Sequence, residues 1–78
     1  MDTKKIQEKI QAGIGFLQAG DLDQADRMFQ EVLVLDENSA ASYCNLGMIQ
    51  LLQQNSRKAI EYLTKAVAFD DRLFYGYL

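Results

Sequence analysis

Histidine is missing from this chain, and with it the most common general base and metal ligand. Cysteine occurs once, at Cys44, so no internal disulfide can form and no second thiol can resolve an oxidised sulfur. With no histidine to activate it, Cys44 reads as a small hydrophobe rather than a nucleophile. Basic residues are few. Eight lysines and arginines against eleven acids leave a net charge of −3, and no basic surface exists to neutralise nucleic-acid phosphates. Lys4, Lys5 and Lys9 lie near the start but are interrupted by Gln7 and Glu8, a pattern that solvates a helix end. Long apolar runs are lacking too. The stretch from Ser39 to Ser56 is uncharged, yet Ser42, Asn45, Gln50, Gln53, Gln54 and Asn55 punctuate it, and a membrane span needs roughly twenty predominantly apolar residues. Met1 to Lys9 contains no apolar segment of the secretory kind, so a cytoplasmic location is the default expectation.

Other chemistry fails on spacing. Gly13-Ile14-Gly15, followed later by Gly20, completes no phosphate-loop pattern, and no strand precedes it. Asp21, Asp23 and Asp26 lack the glycine of a calcium loop, and Val32 stands where its bidentate glutamate belongs. Zinc ligands are wanting, and no set of polar side chains falls at catalytic spacing. A non-enzymatic chain without cofactors is expected.

What the chain does have is a match to itself at a shift of 34 residues. Sliding Ile6–Ser39 onto Ala40–Leu73 brings Gly13 onto Gly47, Leu17 onto Leu51, Ala25 onto Ala59 and Asp36 onto Asp70. Apolar character also carries over at Ile14/Met48, Met28/Tyr62, Phe29/Leu63, Val32/Ala66, Leu33/Val67 and Leu35/Phe69. A fixed period of this length marks a stacked helical-repeat array, and such arrays bind other polypeptides.

Proline is absent, and four segments show helical periodicity. The first, about Lys4 to Ala19, puts Ile6, Ile10, Gly13, Ile14 and Leu17 on one face, with Ala12 and Phe16 beside it. Gly20 suits a left-handed C-cap, and Asp21 an N-cap with Gln24 three residues on. The second, about Leu22 to Leu35, has apolar Leu22, Ala25, Met28, Phe29, Val32 and Leu33, and a polar face with an Arg27–Glu31 pair at four-residue spacing. Ser39 is placed to cap the third, about Ala40 to Gln53. Asn55 or Ser56 can cap the fourth, about Arg57 to Phe69, which is expected to bury Ala59, Ile60, Leu63, Ala66 and Val67. The helices alternate in kind. The even ones are amphipathic, whereas the odd ones hold long uncharged stretches, Gln11 to Gly20 and Ser39 to Ser56, of the kind that is buried on most sides or holds a face for a partner.

These residues resemble the tetratricopeptide repeat, whose unit is a 34-residue helix pair with a W-x₂-L-G-x₂-Y…A-x₃-F…P pattern. Tyr43-Cys44-Asn45-Leu46-Gly47 fits the aromatic-x₂-L-G opening, and Ala59, Leu63 and Ala66 fit the second helix. In the first copy Gly13, Phe16, Gly20, Ala25 and Phe29 fall in register, with Ala12 where leucine is preferred. Small residues at Gly13, Gly47, Ala25 and Ala59 let paired helices approach, while Phe29 and Leu63 fill the gap beside them. Glu37 and Asp71 replace the terminal proline, and Gln54 replaces an inter-helix glycine, changes expected to loosen the turns.

The resemblance implies an all-α fold: a right-handed superhelix of antiparallel helix pairs in one domain over residues 1–78. Repeat 1 covers about 6–39, repeat 2 about 40–73, and 74–78 begin a capping or third-repeat helix. It also implies a concave groove lined by the first helix of each unit. Carried over, Gln7, Ile10, Ile14, Leu17 and Gln18 form one wall, and Ala41, Cys44, Asn45, Met48, Leu51 and Leu52 the next. Tyr75 and Leu78 begin a third. Some members clamp the terminal carboxylate of chaperones, but Ile10 and Ile14 stand where a lysine and an asparagine belong, and only Asn45 matches. The groove suits an apolar or helical segment of a protein partner. Against this stands the reading of Ile10, Ile14, Leu17, Met48 and Leu51 as core between helices. The apolar end, Leu73, Phe74, Tyr75, Tyr77 and Leu78, permits three arrangements: continuation of a longer array, folding back over Ile60, Leu63 and Val67, or docking on another copy as a homo-oligomer.

Overall fold

A reversal after the first sixteen helical residues sets the architecture. In the computed structural model, which describes residues 3–70, α1 (Thr3–Gln18) stops where Gly20 turns left-handed at φ 82°. The N–H of Gly20 donates to the Leu17 carbonyl, and that of Asp21 to the Phe16 carbonyl, 3.1 and 2.9 Å away. This is the glycine-type C-cap, which satisfies carbonyls the helix leaves open. Asp21 then caps α2 (Leu22–Leu35), its Oδ1 accepting from the Gln24 N–H at 3.2 Å.

The same turn recurs 34 residues later. α3 (Ala40–Leu52) opens on the Ser39 hydroxyl, which accepts from the Ser42 N–H at 3.3 Å. It closes with the Gln54 N–H on the Leu51 carbonyl and the Asn55 N–H on the Gln50 carbonyl, at 3.0 and 2.8 Å. Gln54 takes the left-handed conformation at φ 62°. The turn keeps its hydrogen bonds with Gln54 in place of glycine, and the residue carries the strain of a left-handed backbone. α4 (Ser56–Phe69) follows, with Asn55 at its cap position but without a side-chain capping bond.

Helices pair as α1 with α2 and α3 with α4, while α2 against α3 joins the pairs and α1 touches α3. This is the expected all-α repeat. Within each pair the closest approach is a glycine against a large apolar side chain. A Cβ placed on Gly13 would lie 2.7 Å from the Phe29 ring, and one on Gly47 would lie 2.7 Å from Cγ of Leu63. Between the pairs, Ala25 and Phe29 of α2 form one buried cluster with Leu46 and Ile49 of α3. Burying a side chain such as Leu46 or Ile49 contributes about 1.5–3 kcal/mol.

Polar contacts also follow the repeat. Lys9 of α1 donates to Glu31 of α2 at 2.6 Å. Glu31 thus takes an inter-helix partner in place of the Arg27 pairing expected along α2. Tyr43 of α3 packs on Tyr62 and Phe69 of α4, with ring centres 6.2 and 5.6 Å apart, and its hydroxyl donates to the Glu37 carbonyl. No buried side-chain nitrogen or oxygen among the described residues lacks a hydrogen bond.

Candidate functional site

α3 divides cleanly into two sides. Ser42, Leu46, Gly47, Ile49 and Gln50 are buried, and together they hold the helix against its neighbours. The other side carries Ala41, Met48, Leu51 and Leu52, all exposed, with Cys44 and Asn45 half-buried among them. Met48, Leu51 and Leu52 keep 47%, 53% and 60% of their surface in water, which is costly for large apolar side chains on one face of a helix without charges. Asn45 turns its amide back on its own helix, donating to the Ala41 carbonyl at 2.8 Å.

The α1 residues expected beside this stripe divide differently. Gln7 and Gln18 are exposed, whereas Ile10, Ile14 and Leu17 are half-buried and pack against the cluster that contains Leu46 and Ile49. Ile10, Ile14 and Leu17 thus serve the core while keeping an open edge, and α3 supplies the larger exposed apolar area. From Gln11 to Gly20 and from Ser39 to Ser56 there is no ionisable carboxylate or ammonium, so burial rather than charge can act on a ligand here.

A second apolar row lies on α4. Ile60 and Val67, expected to be buried, are 65% and 39% exposed, and with Leu63 and Thr64 they line a shallow depression. Helical spacing identifies an apolar face but not what covers it. Phe29 and Leu33, at two of the same repeat positions in α2, pack in the cluster shared with α3. Among the described residues no helix follows α4. Another depression, between α1 and α2, is lined by Lys5, Lys9, Glu31, Val34 and Leu35. The expected self-association residues Leu73, Phe74, Tyr75, Tyr77 and Leu78 lie outside the described residues, as does Asp71.

Sequence reasoning missed two contacts, Lys9 with Glu31 and Lys65 with Tyr43. Lys65 Nζ lies 5.5 Å from the centre of the Tyr43 ring. Positions 9 and 43, and 31 and 65, are each 34 apart, so the repeat itself carried the signal. Among the described residues no group of three histidines, cysteines or carboxylates is placed to hold a metal ion. No described helix is long and apolar enough to cross a membrane.

Comparison with known proteins agrees with this geometry. Residues 40–72 match the family model of the tetratricopeptide repeat. Over 68 residues, 87% of the chain, it is 31% identical to a TPR repeat-containing protein of Methanocaldococcus jannaschii, spanning 12% of that protein. Over 63 residues, 81% of the chain, it is 33% identical to the type IV pilus assembly protein PilF of Pseudomonas aeruginosa, spanning 25% of that protein. The chain therefore corresponds to a minor part of each relative. Family membership supports a protein–protein interaction module in general terms. Two helix pairs of one 34-residue period, each closed by a glycine against a large side chain, together with these similarities, place the chain in the tetratricopeptide repeat family.

Proposed function

We propose that the chain is a non-enzymatic binding module whose ligand is an apolar segment of another protein, laid along the open face of α3 with α1 at its edge. The carrying observation is the exposure of Met48, Leu51 and Leu52 on a helix that bears no charge. Ala41, Cys44 and Asn45 complete the α3 side, and Ile10, Ile14, Leu17 and Gln18 supply the α1 side. A partner that covers the three half-exposed side chains gains about 1 kcal/mol from each. Such a partner presents large apolar side chains of its own, at helical or alternating spacing. A terminal carboxylate is a poor ligand, because this face offers it no cation and the Asn45 amide is already engaged.

A displayed library of random peptides, selected on the chain, tests this reading. The enriched peptides should be apolar and should lose more than about tenfold in affinity against the Met48→Glu, Leu52→Glu double variant. Both residues are exposed, so helicity should persist in the variant. Enrichment of acidic carboxy-terminal motifs, or full affinity for the variant, would overturn the assignment of this face. A second copy of the chain as ligand would show as concentration-dependent molar mass without any peptide.

A further inference from the structure

The two units fill the same place differently. In the second, the Tyr43 ring lies on Phe69 with centres 5.6 Å apart, and the Lys65 ammonium lies 5.5 Å from the centre of the Tyr43 ring. Moved back 34 residues, Tyr43, Lys65 and Phe69 become Lys9, Glu31 and Leu35. Those three, with Lys5 and Val34, line the depression between α1 and α2. Lys9 reaches Glu31 at 2.6 Å, while Leu35 and Val34 keep 39% and 86% of their surface in water. The first unit thus has the apolar floor and the charged groups beside it, but its lining holds no ring where Tyr43 stands in the second.

The geometry points to a site for one aromatic side chain of a partner protein, a phenylalanine or tyrosine with an acidic residue beside it. Size supports the ring. The depression offers about 230 Å³, and an apolar cavity of about 150 Å³ is enough to hold benzene. The floor supports it too, since a ring laid on Leu35 repeats the packing of Tyr43 on Phe69. Lys5 and Lys9 bring ammonium groups to the rim, and ammonium groups attract the face of a ring as Lys65 does that of Tyr43.

Charge selects the neighbour of the ring. The lining sets two ammonium groups against the one carboxylate of Glu31, on a chain whose net charge is −3. Lys4 and Glu8, the charges beside them on α1, cancel, and Asp36 turns its Oδ1 to the Asn38 N–H. A carboxylate next to the incoming ring is therefore attracted here, and a lysine or arginine repelled. The site shares no residue with the uncharged face of α3, so it adds a second, chemically different point of contact.

The test titrates acetyl-Asp-Phe-amide into the full chain, labelled at amide and methyl positions, at a concentration where light scattering reports a monomer. A depression for one side chain gives an affinity of about millimolar order, which shift mapping reads and a displayed library does not retain. This result and the one for the α3 face therefore fail independently. Saturable changes should fall on Lys9, Glu31, Val34 and Leu35, with nuclear Overhauser contacts from the probe ring to the methyls of Val34 and Leu35. Acetyl-Asp-Ala-amide should give no saturable change, and acetyl-Lys-Phe-amide should bind about threefold more weakly or worse. Lys9→Tyr should fill the depression from within the chain, as Tyr43 does, and weaken the probe by about tenfold or more. Val34→Glu, at a residue 86% exposed, should weaken it with helicity unchanged. Absent changes, changes centred on Met48, Leu51 and Leu52, or undiminished binding to both variants would overturn the site. Equal binding of either control probe would overturn its chemistry. Contacts to Val34 and Leu35 from rings of the chain itself or of another copy, seen without probe, would overturn the partner as occupant.

Discussion

Lys65 holds its ammonium 5.5 Å from the centre of the Tyr43 ring, at the repeat positions where Glu31 and Lys9 form an ion pair. The cation has moved from the first helix of the pair to the second, and the ring has replaced it on the first. One inter-helix contact is thus built from two chemistries, because the position demands attraction across the pair rather than a particular residue.

Lys65→Ala removes the cation over the ring and is expected to cost about 0.5–1 kcal/mol. Tyr43→Ala also removes the Phe69 and Tyr62 contacts and the hydrogen bond to the Glu37 carbonyl, for about 2–4 kcal/mol in all. Urea denaturation of the two single variants and the double variant gives the coupling between them. Additive losses would mean that the cation and ring do not interact.

Two glycines of α1 should respond to alanine with opposite signs. At Gly13 the new Cβ meets the Phe29 ring, which is fully buried and cannot withdraw, so overpacking of about 1–3 kcal/mol exceeds the helix-propensity gain of up to about 1 kcal/mol. At Gly15 nothing lies within 4 Å of the new Cβ, and the propensity gain stands alone. Thermal melting should therefore fall for Gly13→Ala and rise for Gly15→Ala, by about 4–8 °C per kcal/mol. Gly47→Ala should lose stability too, because the new Cβ would lie 2.7 Å from Cγ of Leu63 and 3.3 Å from the Ala59 carbonyl.

Gln54→Gly should stabilise the chain. The glutamine is held at φ 62°, a conformation that costs a side-chain-bearing residue about 1–2 kcal/mol, and glycine removes this cost at some expense in unfolded-state entropy. A net gain of about 1 kcal/mol is expected in a urea titration. The reverse change at the matching position, Gly20→Ala, should lose a similar amount, although no atom crowds the new Cβ. A loss at Gln54→Gly would mean that the side chain does more than tolerate the turn.

Much of the fold was legible because local signals agreed with the period. Gly20, Asp21 and Ser39 mark helix ends in any context, and they bound α1, α2 and α3 to within a residue or two. The pairing of Gly13 with Phe29 and Gly47 with Leu63 followed from size alternation at fixed spacing. Burial was less legible. Ile60 and Val67 share helical spacing with Ala59 and Ala66, but their exposure depends on a neighbour that periodicity does not specify. The same limit applies to the expected groove. Ile10, Ile14 and Leu17 read identically as core or as surface, and three-dimensional packing places them half in each. Gln54 was read as a missing glycine, whereas hydrogen bonds to the Leu51 and Gln50 carbonyls impose the glycine's conformation on it.

The central claim, that the uncharged face of α3 receives the partner, is tested most directly by mapping amide and methyl chemical shifts during titration with a library-selected apolar peptide. The account predicts that the largest changes fall on Ala41, Cys44, Asn45, Met48, Leu51 and Leu52, with smaller ones at Ile14 and Gln18. Changes centred on Ile60 and Val67, or on Lys9, Glu31 and Val34, would contradict it.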